Sequence, residues 1–169
     1  KKDEHALYAL AFSEGDEYLL RAMLQLEQAD LSSYLNELSL TYSTVYKQEK
    51  TLHDEPAQFF RDALKDKRNE PWVKAFNERA VAALQIKRQA IEEDIKLIEE
   101  RYEDEDWLRY TLKYIKHLLW LDSRQAWTAF LPRFVEGLVY GYTFLDELTG
   151  IVGKHLDFLE TRHQKQFKL

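Results

Sequence analysis

The stretch Pro71 to Tyr102, PWVKAFNERAVAALQIKRQAIEEDIKLIEERY, decides the fold class. Val73, Phe76, Ala80, Leu84, Ile91, Ile95, Ile98 and Tyr102 fall on one stripe of a helix, with Lys87 and Arg88 in its gap. Pro71 stands where a helix tolerates proline, in the first turn, because no N–H is needed there. A continuous helix over these residues would span roughly 45–50 Å, and one of that length calls for helical partners of similar reach. The paired acids Glu92-Glu93-Asp94 and Glu99-Glu100 lie opposite the stripe or beside basic residues such as Lys96, and read as a solvated face.

Working outward, every segment repeats the helical period. Toward the N-terminus, helices are expected over about 4–12, 17–28, 31–53 and 56–67. In the third of these, Leu31, Leu35, Leu38, Tyr42, Val45 and Leu52 form a heptad seam that Glu49 interrupts; it could pair within the chain or with a second copy. Toward the C-terminus, Glu103-Asp104-Glu105-Asp106 would sit poorly at a helix end and well at the next helix start, which places a junction there. A helix from Trp107 should reach Leu121 or Leu131, Pro132 should end or kink it, and helices over 133–149 and 154–166 should follow, with Gly150 and Gly153 bracketing a turn. No alternating strand pattern of useful length is present. The expected fold is all-α, a multi-helix bundle of seven to eight helices with one long central helix. The chain reads as one helical domain, with an acidic part over 1–105 packed on an aromatic-rich part over 106–169.

The segment Ala6-Leu-Tyr-Ala-Leu-Ala-Phe-Ser-Glu-Gly-Asp16 resembles the first hairpin of a tetratricopeptide repeat, in which Gly-Asp makes the turn between helices. It occurs once. A solenoid needs several copies to bury its faces, so the segment reads as an ordinary helical hairpin.

Composition narrows the function classes. The 169 residues are 45% hydrophobic and 32% charged, enough apolar content for a core without staples. There is no cysteine, so disulfides and thiolate metal sites are ruled out. Residues 1–106 carry 24 acidic and 15 basic side chains, net −9, which disfavours phosphate backbones; residues 107–169 carry 6 and 9, net +3. No nucleic-acid partner is expected. No membrane span is expected either: the most apolar run, Phe134 to Gly153, contains Glu136, Asp146 and Glu147. A cytoplasmic location is expected, and the start at Lys1 suggests a fragment or a processed chain.

Catalytic signatures are lacking. The histidines His5, His53, His117, His155 and His163 show no metal-ligand spacing except one Glu160-x-x-His163 pair, whereas carboxylate-bridged bundles use two such pairs and two further glutamates. Ser123 near His117 has no nucleophile elbow to support it. No cofactor, metal or catalytic residue is assigned.

What remains is aromatic. Trp107 to Phe144 holds ten of the 23 aromatic side chains. Within it Trp107, Tyr110, Tyr114, Trp120, Trp127, Tyr140 and Tyr142 are candidate binding residues, since Trp and Tyr pair an apolar body with a polar tip; a core role for the same rings is the plainer alternative. Gly137 and Gly141 lie four apart in an otherwise helical stretch, at about 1 kcal/mol each relative to alanine, which points to close approach of a helix or ring. The expected function is a non-enzymatic protein-interaction or regulatory module (adaptor, effector-neutralising or regulatory domain) whose partner is another protein, with homodimerisation open. A helical sensor holding a small ligand beside Gly137 and Gly141 is the second reading, and a metal-carboxylate bundle enzyme the third.

Overall fold

A computed structural model describes residues 2–48 and 51–168. Among these the chain is all-α, with ten α-helices and one two-stranded hairpin. It divides into two compact units, Lys1–Ala80 and Val81–Leu169. The step in charge and aromatic content near residue 106 falls inside the second unit.

The first unit is built on α1 (Lys2–Ser13), against which α2 (Glu17–Leu24) and α4 (Asp54–Asp66) pack. Residues Ala6 through Ser13 are all buried, as an all-round apolar helix requires, and the three alanines let neighbours approach on every side. The turn into α2 uses Glu14 and Gly15 at positive φ, and Asp16 caps α2 by accepting from Leu19 N at 3.1 Å. This is the Gly-Asp hairpin read from the sequence, present once.

Helix α3 runs Gln28–Thr41 and stops well short of residue 53. Leu31, Leu35 and Leu38 of the expected seam are buried inside the chain, but Tyr42 sits at the C-cap and Val45 beyond it. Strands β1 (Tyr46–Gln48) and β2 (Thr51–Leu52) follow as an antiparallel hairpin, pairing Tyr46 with Leu52 and Gln48 with Thr51. The run Thr41-Tyr-Ser-Thr-Val-Tyr46 explains the correction: β-branched and aromatic residues lose side-chain freedom in a helix and fit a pleated ribbon. Glu49, read as interrupting the seam, lies outside the described residues.

Helix α5 (Pro71–Asp94) is the long helix, about 36 Å rather than the length that a run to Tyr102 would give. It ends on Glu92-Glu93-Asp94, three acids at the negative end of the helix dipole. The guanidinium of Arg101, on the four-residue helix α6 (Ile98–Arg101), turns back to donate to the carbonyls of Ile95 at 2.7 Å and of Glu92 and Lys96 at 3.3 Å, satisfying the chain as it leaves the helix.

The second unit packs α7 (Glu105–Leu121), α8 (Ser123–Tyr140) and α9 (Tyr142–Gly153) against one another. The acidic cluster starts α7, where Asp104 accepts from Trp107 N at 2.6 Å and Glu105 and Asp106 occupy the first turn. Asp122 ends α7 and caps α8 through Arg124 N and Gln125 N. Pro132 does not break α8. It stands on the exposed side, where water can serve the carbonyl left without its N–H, and the helix ends nine residues later at Gly141. Gly150 and Gly153 lie within α9, and after a 3₁₀ turn at Leu156–Phe158 the short α10 (Thr161–Phe167) closes the unit.

Candidate functional site

The centre of the second unit is Trp107. Fully buried, it packs against Tyr102 at 5.2 Å and Phe144 at 6.4 Å between ring centroids, with the Arg133 guanidinium 5.1 Å from its ring. Its indole Nε1 donates to Glu92 Oε1 at 3.0 Å. The same carboxylate accepts from Arg88 Nη2 at 3.1 Å, and Arg88 Nε donates to the buried Thr111 hydroxyl at 3.0 Å. Arg133 pairs closely with Glu136, whose Oε2 also accepts from the Tyr102 hydroxyl at 3.1 Å. Burial, and then the Glu136 charge, push the Tyr102 hydroxyl above its ordinary range. Burial lowers the Arg88 guanidinium, while Glu92 opposes the shift. Two arginines and two glutamates thus neutralise one another around a buried indole. This arrangement ties α5, α7 and α8 together.

Of the candidate binding residues, Trp107, Trp120 and Trp127 are buried, at 0%, 2% and 8% exposure. Trp120 packs on Phe158 and His155. Trp127 stacks on His163 at 4.9 Å and leans on Phe130 at 5.1 Å. Tyr110 and Tyr114 are half-buried, each under an arginine: Arg109 at 4.9 Å and Arg88 at 4.7 Å. Tyr140 leans on Tyr102 at 5.8 Å, and Tyr142 stands free at 73% exposure. A Cβ at Gly141 would lie 2.8 Å from Tyr102 Cδ1, inside any permissible contact, so the ring sets the need for glycine there. At Gly137 a Cβ would come to 3.4 Å from Leu145 Cβ, where α9 packs on α8. The structure therefore gathers Trp107, Tyr140, Gly137 and Gly141 around Tyr102, Phe144 and Leu145, and it places Tyr110, Trp120 and Trp127 elsewhere.

The outer side of α8 is different in kind. Leu131, Val135, Leu138 and Val139 recur at helical spacing and are 43–71% exposed. Together with Tyr140 and Tyr142 they make six of the ten exposed large hydrophobic side chains among the described residues. Between Arg124 and Asp146 the chain has only two charged residues, Arg133 and Glu136, and both turn inward to each other. Beside this ridge runs a half-open groove of about 540 Å³, lined by Trp127, Phe130, Leu131, Phe134, Thr149, Gln166 and Phe167. Trp127 and Phe130 form its floor, and Leu131 belongs to both ridge and groove. Burial lowers the His163 imidazole that backs Trp127, and its Nδ1 has no hydrogen-bond partner.

The aliphatic residues Val135, Leu138 and Val139 were not among the aromatic candidates. Their signal was present in the sequence as the nearly uncharged run beginning at Phe134, longer than one buried stripe of a surface helix needs.

Among the described residues no three His, Asp or Glu side chains are grouped to hold a metal ion, and no helix is long and apolar enough to cross a membrane. No protein-family model, curated protein or solved structure matches the chain.

Proposed function

We propose that the chain is a non-enzymatic protein-interaction module that docks another polypeptide on the outer face of α8. The observation that carries this is the exposed, charge-free ridge of Leu131, Val135, Leu138 and Val139 beside an aromatic groove. Monomeric proteins rarely leave contiguous apolar surface of that extent in water, and when they do it marks a binding face. An aliphatic ridge flanked by an aromatic pocket is also the form that a helix-in-groove contact takes.

The test is a photo-crosslinking residue at Val139, compared with the same residue at Arg109 on the charged side of α7, in an extract of the source. The reading predicts an adduct at Val139 and not at Arg109. Excess wild-type chain should compete the adduct away, and the Leu138→Asp variant should not. Equal adducts at both positions, or competition by the variant, would remove the α8 face from the account.

One observation favours a second reading, an apolar small ligand in the groove: about 540 Å³ lies within the roughly 300–1,000 Å³ usual for ligand sites. That groove borders Trp127 and not Gly137 or Gly141, so a sensor would use α10 as its wall. The metal-carboxylate enzyme has no corresponding arrangement among the described residues.

A further inference from the structure

The outer face of α8 carries both halves of a contact. Leu131, Val135, Leu138 and Val139 project as a ridge, and alongside, on the same helix, Trp127, Phe130 and Phe134 form a trough that Phe167 walls. We infer that this face pairs with the same face of a second copy of the chain, two-fold related, with each ridge seated in the other's groove. The inference rests on α8 being the docking face and names its occupant.

Three features select a second copy. A two-fold interface uses one patch twice, so the patch must be self-complementary, and a ridge beside a groove of matching apolar character meets that demand. The exposed positions between Arg124 and Asp146 bear no charge, so the ridge brings no charge of its own into an apposed pair although each chain carries a net −6. Area agrees as well. At their fractional exposures Leu131, Val135, Leu138 and Val139 offer about 400 Å² of apolar surface, to which the groove walls add, against the roughly 800 Å² per partner of a standard specific interface. The heptad seam on α3, the other sequence candidate for pairing, is spent within its own chain, where Leu31, Leu35 and Leu38 are buried.

The chain has no cysteine, so single-cysteine variants report position cleanly. Analytical ultracentrifugation of the full chain over a concentration series is the first measurement, on wild type, Val135→Arg and Leu40→Arg; Leu40 is 83% exposed on α3 and serves as the control. A wild-type dimer is expected. Val135→Arg should weaken it by about 100-fold or more, since each arginine would be pressed without a partner charge into the other copy's apolar groove, while Leu40→Arg leaves it unchanged. A short bismaleimide should then join Val135→Cys chains into dimers and leave Leu40→Cys chains single. A monomeric wild type overturns the inference, as does a dimer that Val135→Arg leaves intact. In the monomeric case, a Val139 adduct with a different polypeptide keeps the docking face and replaces its occupant; no adduct at Val139 ends both.

Discussion

Helices α7 and α8 are neighbours of nearly equal length, and they handle their outer sides in opposite ways. On α7, Trp107, Leu112, Ile115 and Leu119 are buried, and the exposed positions Glu105, Asp106 and Arg109 are charged. On α8, Trp127 and Phe130 are buried in the same manner, their remaining edges lining the groove, but past the first turn the exposed positions include Leu131, Val135, Leu138 and Val139 and no charged residue. The first helix is finished by its own unit. The second is apolar on both sides, and its own unit covers only one. Large aromatic rings are thus the mark of the core here, and the exposed ridge of α8 is aliphatic.

The largest effect that sharpens this contrast is in the core. Trp107→Ala should destabilise by about 3–5 kcal/mol, because it removes a buried indole and one of the donors to Glu92. Trp127→Ala should likewise lower the melting temperature by several degrees, as a core residue does; an unchanged melt together with lost association would move Trp127 from core to interface. Either is measured by thermal or denaturant unfolding.

Next come the glycines. Gly141→Leu should cost about 1–3 kcal/mol, since any Cβ there meets the Tyr102 ring. Gly150→Ala, with nothing within 4 Å of the added methyl and a helical backbone, should instead stabilise by up to about 1 kcal/mol. Equal effects at the two positions would contradict the close approach of the Tyr102 ring to Gly141.

The third effect depends on pH. His117 on α7 is fully buried, and burial, followed by Lys116, Lys113 and His155, holds its imidazole well below its ordinary value of 6.5. A group depressed in this way binds its proton in the unfolded chain first. Stability should therefore be complete above about pH 6.5 and fall on acidification below it, at up to about 1.4 kcal/mol per pH unit. Unfolding free energies at pH 7.5, 6.0 and 5.0 would show this, with a shallower acid limb for His117→Gln. A flat profile in the wild type would mean that His117 is solvated.

The smallest stability effect belongs to the outer face of α8. Measured at protein concentrations low enough that the wild type is monomeric, Val135→Arg should change unfolding free energy by no more than about 0.5 kcal/mol, the range of ordinary surface substitutions. A loss of several kcal/mol would show that the face is packed within the chain and that the contrast with α7 is false.

Much of this was legible in the sequence, and particular residues show where it stopped being so. The helical class followed from periodicity alone, and the start of α7 from its acidic cluster. The end of α5 did not, because Ile95 and Ile98 continue the stripe and only the Arg101 guanidinium, reaching back to three carbonyls, reveals the break. The hairpin at Tyr46 was masked by leucines and aromatics that happen to keep a heptad spacing across it. Pro132 does not end the helix, one of the two outcomes expected of it, since a proline on the wet side of a helix costs less than one in the core. The candidate site was half visible. Trp127 lines the groove beside the outer face, but periodicity cannot say which of two apolar stripes on α8 has a neighbour, and that depends on where α7, α9 and α10 lie.

The most direct test is native mass spectrometry of the chain isolated gently from its source, wild type beside Val135→Arg. A docking face on α8 predicts a second polypeptide bound to the wild type, a copy of the chain or another protein, and absent from the variant. A bare chain mass in both, or a small molecule retained equally by both, would contradict it.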